Sequence, residues 1–218
     1  MILRIGILWD FDGVIADTGE LHYKTWARVM AEAGVPFDRG LFHRGFGMNN
    51  SEVLPFWFGR PLEPELVSRI AGRKEELFLE TAPNTVTLLP GVMHWLTLLE
   101  SWKVRQAIAS STPPRNIEAL TESLGIRRFF SALVSAAGMP GKPHPAVFLE
   151  AARRIGMEPG SCIVIEDSLP GILAAGRAGM KCIAVTNTHP AEALRGADLV
   201  LDSLEHLKPE DLRDLSSG

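Results

Sequence analysis

The stretch GILWDFDGVIADT, residues 6–18, decides how the rest of the chain is interpreted. An apolar run ends there in two aspartates one residue apart, Asp10 and Asp12, and Gly13 follows at once. A short continuous apolar run is typical of a strand that is buried on both faces of a parallel sheet. Taken alone, Asp12-Gly13 is a common turn signal. Two like charges at the end of a buried strand are costly unless something neutralises them, so the pair also predicts a chemical site.

Five further apolar runs have the character of buried strands: VRQAIA, ALVSA, CIVI, CIAV and DLVL. Segments between them carry apolar residues at helical spacing, and three of these segments end at Gly125, Gly156 and Gly179. Glycine is favoured just after the last turn of a helix because it adopts a left-handed backbone without steric cost. Strands that alternate with glycine-closed helices predict an α/β fold with a doubly wound (Rossmann-like) parallel sheet.

Residues 16–87 break this alternation. Two long helical patterns, GELHYKTWARVMAEAG and EPELVSRIAGRKEELFLETA, follow each other there without a good strand between them. Asp17 and Glu20 have the spacing of a capping box for the first helix. We therefore predict an α/β core domain of residues 1–15 and 88–218, with residues 16–87 inserted as a helical cap domain.

The predicted insert is rich in aromatic side chains, especially in the segment PFWFGRP. Aromatic residues bury a large apolar area, so we expect them to form the hydrophobic core of the insert rather than a stacking platform for a ligand. The residues concerned are Trp26, Phe56, Trp57 and Phe58.

The charge and composition argue against some classes of partner. The 218 residues carry a net charge of −4, which disfavours general binding to nucleic acid or to an anionic membrane. The apolar runs fall short of the roughly 20 residues that a membrane-spanning helix needs. Cys162 and Cys182 lack metal-ligand spacing; a disulfide between them is conceivable, but buried reduced thiols are the expectation. We expect a soluble, cytoplasmic protein that is a monomer.

Polar side chains follow three of the apolar runs where each predicted strand ends, and one lysine precedes a helix. In open α/β sheets, ligands bind at the carboxyl ends of the strands, so we expect these side chains to converge. Clustered carboxylates need a cation, and oxygen ligands without His or Cys favour Mg²⁺ over Zn²⁺. Hydroxyls, backbone N–H groups and a lysine suit a phosphate. The set therefore predicts phosphoryl transfer, and it comprises Asp10, Asp12, Ser110, Ser111, Lys142, Glu166 and Asp167.

Four segments in order, DFDGVIADT, AIASS, GKPHP and IEDSLPGILAA, resemble the four motifs of the haloacid dehalogenase superfamily. The chain is most similar to its β-phosphoglucomutase-like phosphatase branch, which carries a helical cap after the first strand. The resemblance covers nearly the whole chain. It implies that Asp10 is the nucleophile and a metal ligand. It also implies that Asp12 is the general acid/base and binds Mg²⁺ through its backbone carbonyl.

The same resemblance implies roles for the other clustered residues. Ser110 and the Ser111 backbone would hold the phosphoryl oxygens, and Lys142 would offset charge on the nucleophile and the phosphate. Glu166 and Asp167 would complete the metal site. Dehalogenases of this superfamily need no second aspartate two residues after the nucleophile, so the pair in this chain favours phosphoryl transfer.

The substrate implied by the resemblance is a small phosphorylated metabolite, such as a sugar phosphate, whose leaving group meets the cap. Candidate cap contacts are His22, Asn50 and Lys74. Sugar-phosphate mutases of this branch grip a second phosphate with a cap-loop arginine, whereas the matching stretch here reads GMNN, residues 47–50. Lys74 or Arg73 could compensate. Hydrolysis of a phosphomonoester is therefore the preferred expectation, and mutase activity is the alternative.

A phospho-accepting signalling module is the rival from another class. Receiver domains also place acidic residues, a hydroxyl and a lysine on a doubly wound sheet. Such a module has little reason to carry a helical insert after its first strand, and it needs no acid/base two residues beyond the acceptor. Both features favour an enzyme.

Overall fold

The computed structural model describes residues 4–45, 48 and 50–217, with residues 84 and 217 described by their backbone alone. Six parallel strands form one sheet in the order β3-β2-β1-β4-β5-β6. This sheet confirms the predicted doubly wound α/β fold, and every apolar run predicted as a strand forms one. The strands are β1 (Gly6–Trp9), β2 (Arg105–Ser110), β3 (Ala132–Ser135), β4 (Cys162–Glu166), β5 (Lys181–Val185) and β6 (Leu199–Leu201).

The helices of the described chain include the three predicted between strands. Gly125, Gly156 and Gly179, which follow these helices, have φ of 69°, 65° and 71°. Within the described residues, no helix is both long and apolar enough to cross a bilayer. The α-helices are α1 (Gly19–Glu32), α2 (Arg39–Gly45), α3 (Asn50–Phe58), α4 (Pro64–Thr85), α5 (Val92–Ser101), α6 (Pro114–Ser123), α7 (Ala146–Arg154), α8 (Leu169–Arg177) and α9 (Pro209–Ser217). Short 3-10 segments lie at Arg127–Phe129, Pro159–Ser161, Ala191–Leu194 and Leu204–His206.

Both faces of the sheet are covered by hydrophobic layers. Successive residues of a strand point to opposite faces, so Trp9 packs in one layer and Leu8 in the other. This burial explains why the strands have continuous rather than alternating apolar sequences. Cys162 and Cys182 lie in the second layer as free, buried thiols, as the sequence predicts.

Helices α1–α4, the helical insert, lie between β1 and α5 and have a hydrophobic cluster of their own. Trp26 and Trp57 belong to this cluster, and Phe58 packs against it. The prediction for Phe56 is wrong, because this side chain is 44% exposed. Neighbouring residues of a helix point about 100° apart, and Trp57 takes the inward direction on α3.

The capping box predicted for Asp17 and Glu20 is not formed. The helix α1 begins after Thr18, whose hydroxyl donates to Asp12 Oδ1 (2.5 Å). Glu20 instead accepts two hydrogen bonds from Arg39, at 2.8 and 3.0 Å. An ionised carboxylate is a stronger partner for a hydroxyl than a backbone amide is, so Thr18 serves the sheet edge rather than its own helix.

The chain enters and leaves the helical insert at one place. Asp17 N donates to Thr87 O (3.1 Å), and Leu89 N donates to Ile15 O (3.0 Å). The two crossing segments are therefore hydrogen bonded to each other beside the end of β1.

Candidate active site

The end of β1 lies between the ends of β2 and β4. Trp9 pairs with Ile108 of β2 and with Ile165 of β4, and Asp10 N donates to Ile165 O (2.9 Å). Asp10 is the first residue beyond the central strand. The register therefore brings Asp10 to the edge where the polar ends of both neighbouring strands also lie.

Three carboxylates and one ammonium group meet at this edge. One oxygen each of Asp10, Glu166 and Asp167 lies within 4.8 Å of the others. Lys142 Nζ lies 2.9 Å from Asp10 Oδ1 and 2.6 Å from Glu166 Oε1. All four side chains are buried. A single ammonium group does not balance three carboxylates at such short range.

The imbalance is visible in the protonation equilibria. Burial raises the pKa of Asp10 to about 7, and Glu166 and Asp12 add to the rise although Lys142 opposes it. Burial, with Glu166 and Asp10, also raises the pKa of Asp167 well above its usual value. Burial acts to lower the pKa of Lys142, but the neighbouring carboxylates raise it. Lys142 therefore stays charged, and the ionised forms of Asp10 and Asp167 are unfavourable unless a further cation stabilises them.

The donor set of this centre fits Mg²⁺. Within the described chain, Asp10 Oδ1 is buried without a hydrogen bond, although Lys142 Nζ approaches it as an ion pair. A buried carboxylate oxygen without a hydrogen bond is costly unless a bound cation stabilises its charge. Hard carboxylate oxygens are the ligands that Mg²⁺ prefers.

Glu166 is the most firmly held of the three carboxylates. Its Oε2 accepts from Asp167 N (2.7 Å), from Ser168 N (2.8 Å) and from Ser168 Oγ (2.8 Å), while Lys142 donates to Oε1. Gly171 of α8 leaves room for it, since a Cβ there would lie 1.8 Å from Glu166 Oε1. Burial acts to raise the pKa of Glu166, but the charge of Lys142 and these hydrogen bonds lower it. Glu166 is therefore an anion that orients Lys142.

Asp12 is held by three side chains, two of them from the start of the helical insert. It accepts hydrogen bonds from the hydroxyls of Thr18 and Thr112, and His22 Nε2 lies 3.2 Å from its Oδ1. Burial acts to raise the pKa of Asp12, but His22 and these hydrogen bonds hold it well below its usual value. The imidazole also stacks on Phe78 of α4 at 4.4 Å between ring centroids. Asp12 is therefore an anion, and two of its three side-chain partners come from the start of the helical insert.

Sequence reasoning missed a group of supporting residues after β5. Thr188 donates a hydrogen bond to Asp167 Oδ2, and Asn187 Nδ2 donates to Gly13 O (2.8 Å). Gly13 has φ of 77°, and a Cβ there would lie 2.0 Å from Asp167 Oδ2. The signal was present, because the polar segment TNT follows CIAV just as the acidic pairs follow their strands.

Most of the predicted site residues line one pocket of about 740 Å³, measured with its open mouth. Ser110 Oγ accepts from Thr112 N (3.1 Å), which leaves its O–H free to donate to an anion. Glu166 lies behind this lining, against Lys142. Gly47 and Asn49 of the predicted GMNN contact lie outside the described residues. The predicted residues that line the pocket are Asp10, Asp12, His22, Asn50, Lys74, Ser110, Ser111, Lys142 and Asp167.

The two cations proposed to compensate for the missing arginine lie on different surfaces. Lys74 lines the pocket, is 2% exposed and donates to Glu75 Oε1 (2.9 Å). Arg73 lies in a groove on the other side of α4, where it pairs with Glu32 and Glu76. Arg73 is therefore not placed to contact a ligand in this pocket, which corrects that part of the expectation.

The fold and the site define an α/β protein with a buried acidic centre suited to metal-assisted chemistry on an anionic group. The family model for haloacid dehalogenase-like hydrolases matches residues 7–185. The chain belongs to this family.

Three proteins are similar to the chain over at least 95% of its length. It is 32% identical to hexitol phosphatase B of Escherichia coli, over 95% of this chain and 96% of that protein. It is 33% identical to a chloroplastic 5-amino-6-(5-phospho-D-ribitylamino)uracil phosphatase of Arabidopsis thaliana; the match takes in 97% of this chain but only 58% of that protein. A crystal structure of β-phosphoglucomutase from Clostridium difficile has a TM-score of 0.87 and 29% identity, covering 100% of this chain and 98% of that one.

Proposed function

We propose that this protein is a Mg²⁺-dependent phosphatase that hydrolyses a small phosphomonoester, with a sugar phosphate or a similar polyol phosphate as substrate. The observation that carries the proposal is the position of Asp10. Its buried Oδ1 lacks a hydrogen bond within the described chain, beside Lys142, Asp167 and the strand-end hydroxyl of Ser110. The named relatives, two phosphatases and a sugar-phosphate mutase, support phosphoryl transfer as the reaction class.

The proposed metal site uses Asp10, Glu166, Asp167 and the backbone carbonyl of Asp12. When bound, Mg²⁺ would supply positive charge to the carboxylates and to the oxygens of the phosphoryl group. Glu166 contributes in a second way, since it holds Lys142 against Asp10.

The proposed reaction has two steps on this chain's own residues. Asp10 attacks phosphorus and forms an aspartyl-phosphate. Asp12, which is an anion in the free protein, takes up a proton from solvent when the substrate binds and gives it to the departing alkoxide oxygen. Asp12 then takes a proton from a water molecule that attacks the phosphorus and frees Asp10. The hydroxyl of Ser110, the backbone N–H of Ser111 and the ammonium group of Lys142 hold the phosphoryl oxygens.

We further propose that the helical insert, residues 16–87, acts as a cap that closes over the leaving group. Two observations support this role. Asn50 and Lys74 of the insert line the same pocket as Asp10. The contact of His22 with Asp12 gives the acid/base residue its final surroundings only when α1 lies against the sheet edge. Closure of this kind excludes bulk water from the reacting groups.

A panel of phosphomonoesters tests the function. We expect release of inorganic phosphate with Mg²⁺, little release in EDTA, and loss of turnover in Asp10→Asn. The same panel is run with and without a sugar bisphosphate primer. Isomerisation of a sugar monophosphate that depends on the primer, with little free phosphate, would contradict hydrolysis and establish a mutase. Stable phosphorylation without turnover would instead indicate the signalling module.

A further inference from the structure

A carboxylate stands beside the only lysine or arginine that the helical insert adds to the described lining of the pocket. Lys74 Nζ donates to Glu75 Oε1 at 2.9 Å. The side chain of Lys74 is 3% exposed and that of Glu75 is 16% exposed. Both residues line the pocket. The positive charge of Lys74 is therefore compensated inside the site, on the side where the leaving group must lie.

Glu75 also gathers two amide groups from different parts of the chain. Asn50 Nδ2 of α3 lies 3.4 Å from Glu75 Oε1, and Asn116 of α6 donates to Glu75 Oε2. Asn116 is buried, with 1% exposure. Because α6 belongs to the sheet domain, these contacts hold the Glu75 carboxylate where the insert meets that domain, in the lining of the pocket.

The ammonium group of Lys74 already has charged and aromatic partners within the chain. Burial lowers the pKa of Lys74, and Glu75, with Asp12, opposes this effect. Its ammonium group also lies over the ring of Phe78, 4.8 Å from the centroid. A second phosphate on the substrate would have to displace Glu75 from Lys74, or be held near a carboxylate without its own cation. Either outcome is unfavourable at short range.

A polyol does not meet this obstacle. Hydroxyl groups can donate hydrogen bonds to the oxygens of Glu75 and can accept them from the amide of Asn50. They also bring no charge into the pocket. The rings of Trp26 and Trp57 line the same pocket and can pack against the C–H faces of a carbon chain. The polar and apolar groups around Glu75 therefore match an uncharged, hydroxylated leaving group.

We infer that Glu75 determines specificity. Its oxygens accept hydrogen bonds from the hydroxyl groups of an uncharged leaving group, and its charge disfavours binding of a substrate that carries a second phosphate. This inference rests on the proposed phosphatase function and adds the class of leaving group. Glu75 is assigned no part in bond making or breaking. It acts through charge and hydrogen bonding on the part of the substrate that departs.

The test uses p-nitrophenyl phosphate as the reporter substrate. Glucose 6-phosphate and glucose 1,6-bisphosphate are added as competitors in the presence of Mg²⁺, and the inhibition constant of each is measured. The wild-type protein should bind the monophosphate about tenfold more tightly than the bisphosphate or better, which corresponds to about 1.4 kcal/mol. In Glu75→Gln, which keeps the shape and releases Lys74, this preference should fall by about tenfold.

Glu76→Gln is the matched control. It makes the same change of charge on the neighbouring residue of α4, whose partner Arg73 lies in the groove on the other side of that helix. This variant should keep the wild-type preference, because the loss of a negative charge outside the pocket should not change how the two competitors bind. Glu75→Asp, which retains the charge, should also keep most of the preference.

Several results would overturn the inference. If the wild-type protein binds the bisphosphate as tightly as the monophosphate, the inference is refuted without any variant. The inference therefore stays testable even if the Glu75→Gln protein fails to fold. An unchanged preference in folded Glu75→Gln, or an equal change in Glu76→Gln, also refutes it. Absence of inhibition by either competitor contradicts recognition of the hydroxylated group. Failure to hydrolyse p-nitrophenyl phosphate at all would instead refute the proposed function.

Discussion

His22 Nε2 lies 3.2 Å from Asp12 Oδ1, so a side chain of the helical insert contacts the second carboxylate of the sheet edge. His22 stands one turn into α1, and Asp12 stands in the loop after β1. The proposed acid/base is thus sensitive to whether the insert lies against the sheet domain.

The pH dependence of activity should report this contact. Since His22 lowers the pKa of Asp12, we expect His22→Gln to raise that pKa. Asp12 is then protonated at higher pH than in the wild type, and it cannot take the proton of water. The acidic limb of the pH profile for hydrolysis of the aspartyl-phosphate, the step in which Asp12 acts as a base, should therefore move to higher pH. His206→Gln is the control, because His206 makes a comparable contact with Asp202 on the exposed surface. Superimposable profiles for wild type and His22→Gln would contradict the assignment.

Asp10→Asn should lose turnover by at least about 10³-fold, because the amide is a poor nucleophile and a poor ligand for Mg²⁺. The fold should survive, since the change removes charge from a crowded acidic cluster. Phosphate release and thermal unfolding measure the two effects. Asp214→Asn, the same change at an exposed position on α9, should leave both at the wild-type values. Residual activity near that of the wild type in Asp10→Asn would rule out the aspartyl-phosphate mechanism.

Gly13→Ala should damage the site beyond its effect on stability. A left-handed backbone costs an alanine about 1–2 kcal/mol, and at position 13 the new Cβ would also collide with Asp167 Oδ2. A displaced Asp167 should lower kcat/KM by about 10²-fold. Gly34→Ala separates the two effects, because Gly34 has φ of 69° and open space around the Cβ position. Gly34→Ala should lose stability but keep activity; equal activity in both variants would show that the close approach at Gly13 does not matter.

Binding of Mg²⁺ should stabilise the protein in a pH-dependent way. Burial raises the pKa of Asp10 from its ordinary value of 3.8 to about 7, so the folded metal-free protein favours the protonated group. The stability that the protonated Asp10 carboxyl contributes is fully present below about pH 4 and is lost as the pH rises through about 7. Mg²⁺ needs the ionised form, so it should raise the Tm more at pH 8 than at pH 5.5. Calorimetry with Mg²⁺ and with EDTA measures this difference. Equal shifts at both pH values would contradict it, and Asp10→Asn should show a smaller shift than the wild type.

The sheet and the strand-end residues were predictable because their signals are local. Each strand is a short apolar run, and the carboxyl ends of parallel strands share one edge whatever the details of packing. The approach of Lys142 to Asp10 required only this rule and the motif resemblance. The side chains after β5, among them Thr188, follow the same rule and could have been found with it.

The contacts of the helical insert were not predictable in the same way. Glu75 meets Asn116 only because α4 docks against α6, and helical periodicity does not specify which helices meet or at what height. Arg73 and Lys74 are neighbours in the sequence, and helical periodicity leaves open which of them faces the pocket. The capping box failed for a related reason: Thr18 has a carboxylate partner from the sheet edge that sequence spacing does not reveal.

The paired backbone segments at Ile15–Leu89 and Asp17–Thr87 have an architectural consequence. Because the chain departs and returns through neighbouring positions, the intervening helices form a cassette joined to the scaffold at a single seam. Such a cassette could be exchanged for that of a related protein without moving Asp10, Lys142 or Glu166, provided that the groups at positions 18 and 22 that contact Asp12 are kept. Selectivity for the departing group and the chemistry at phosphorus could thus diverge independently in the course of evolution.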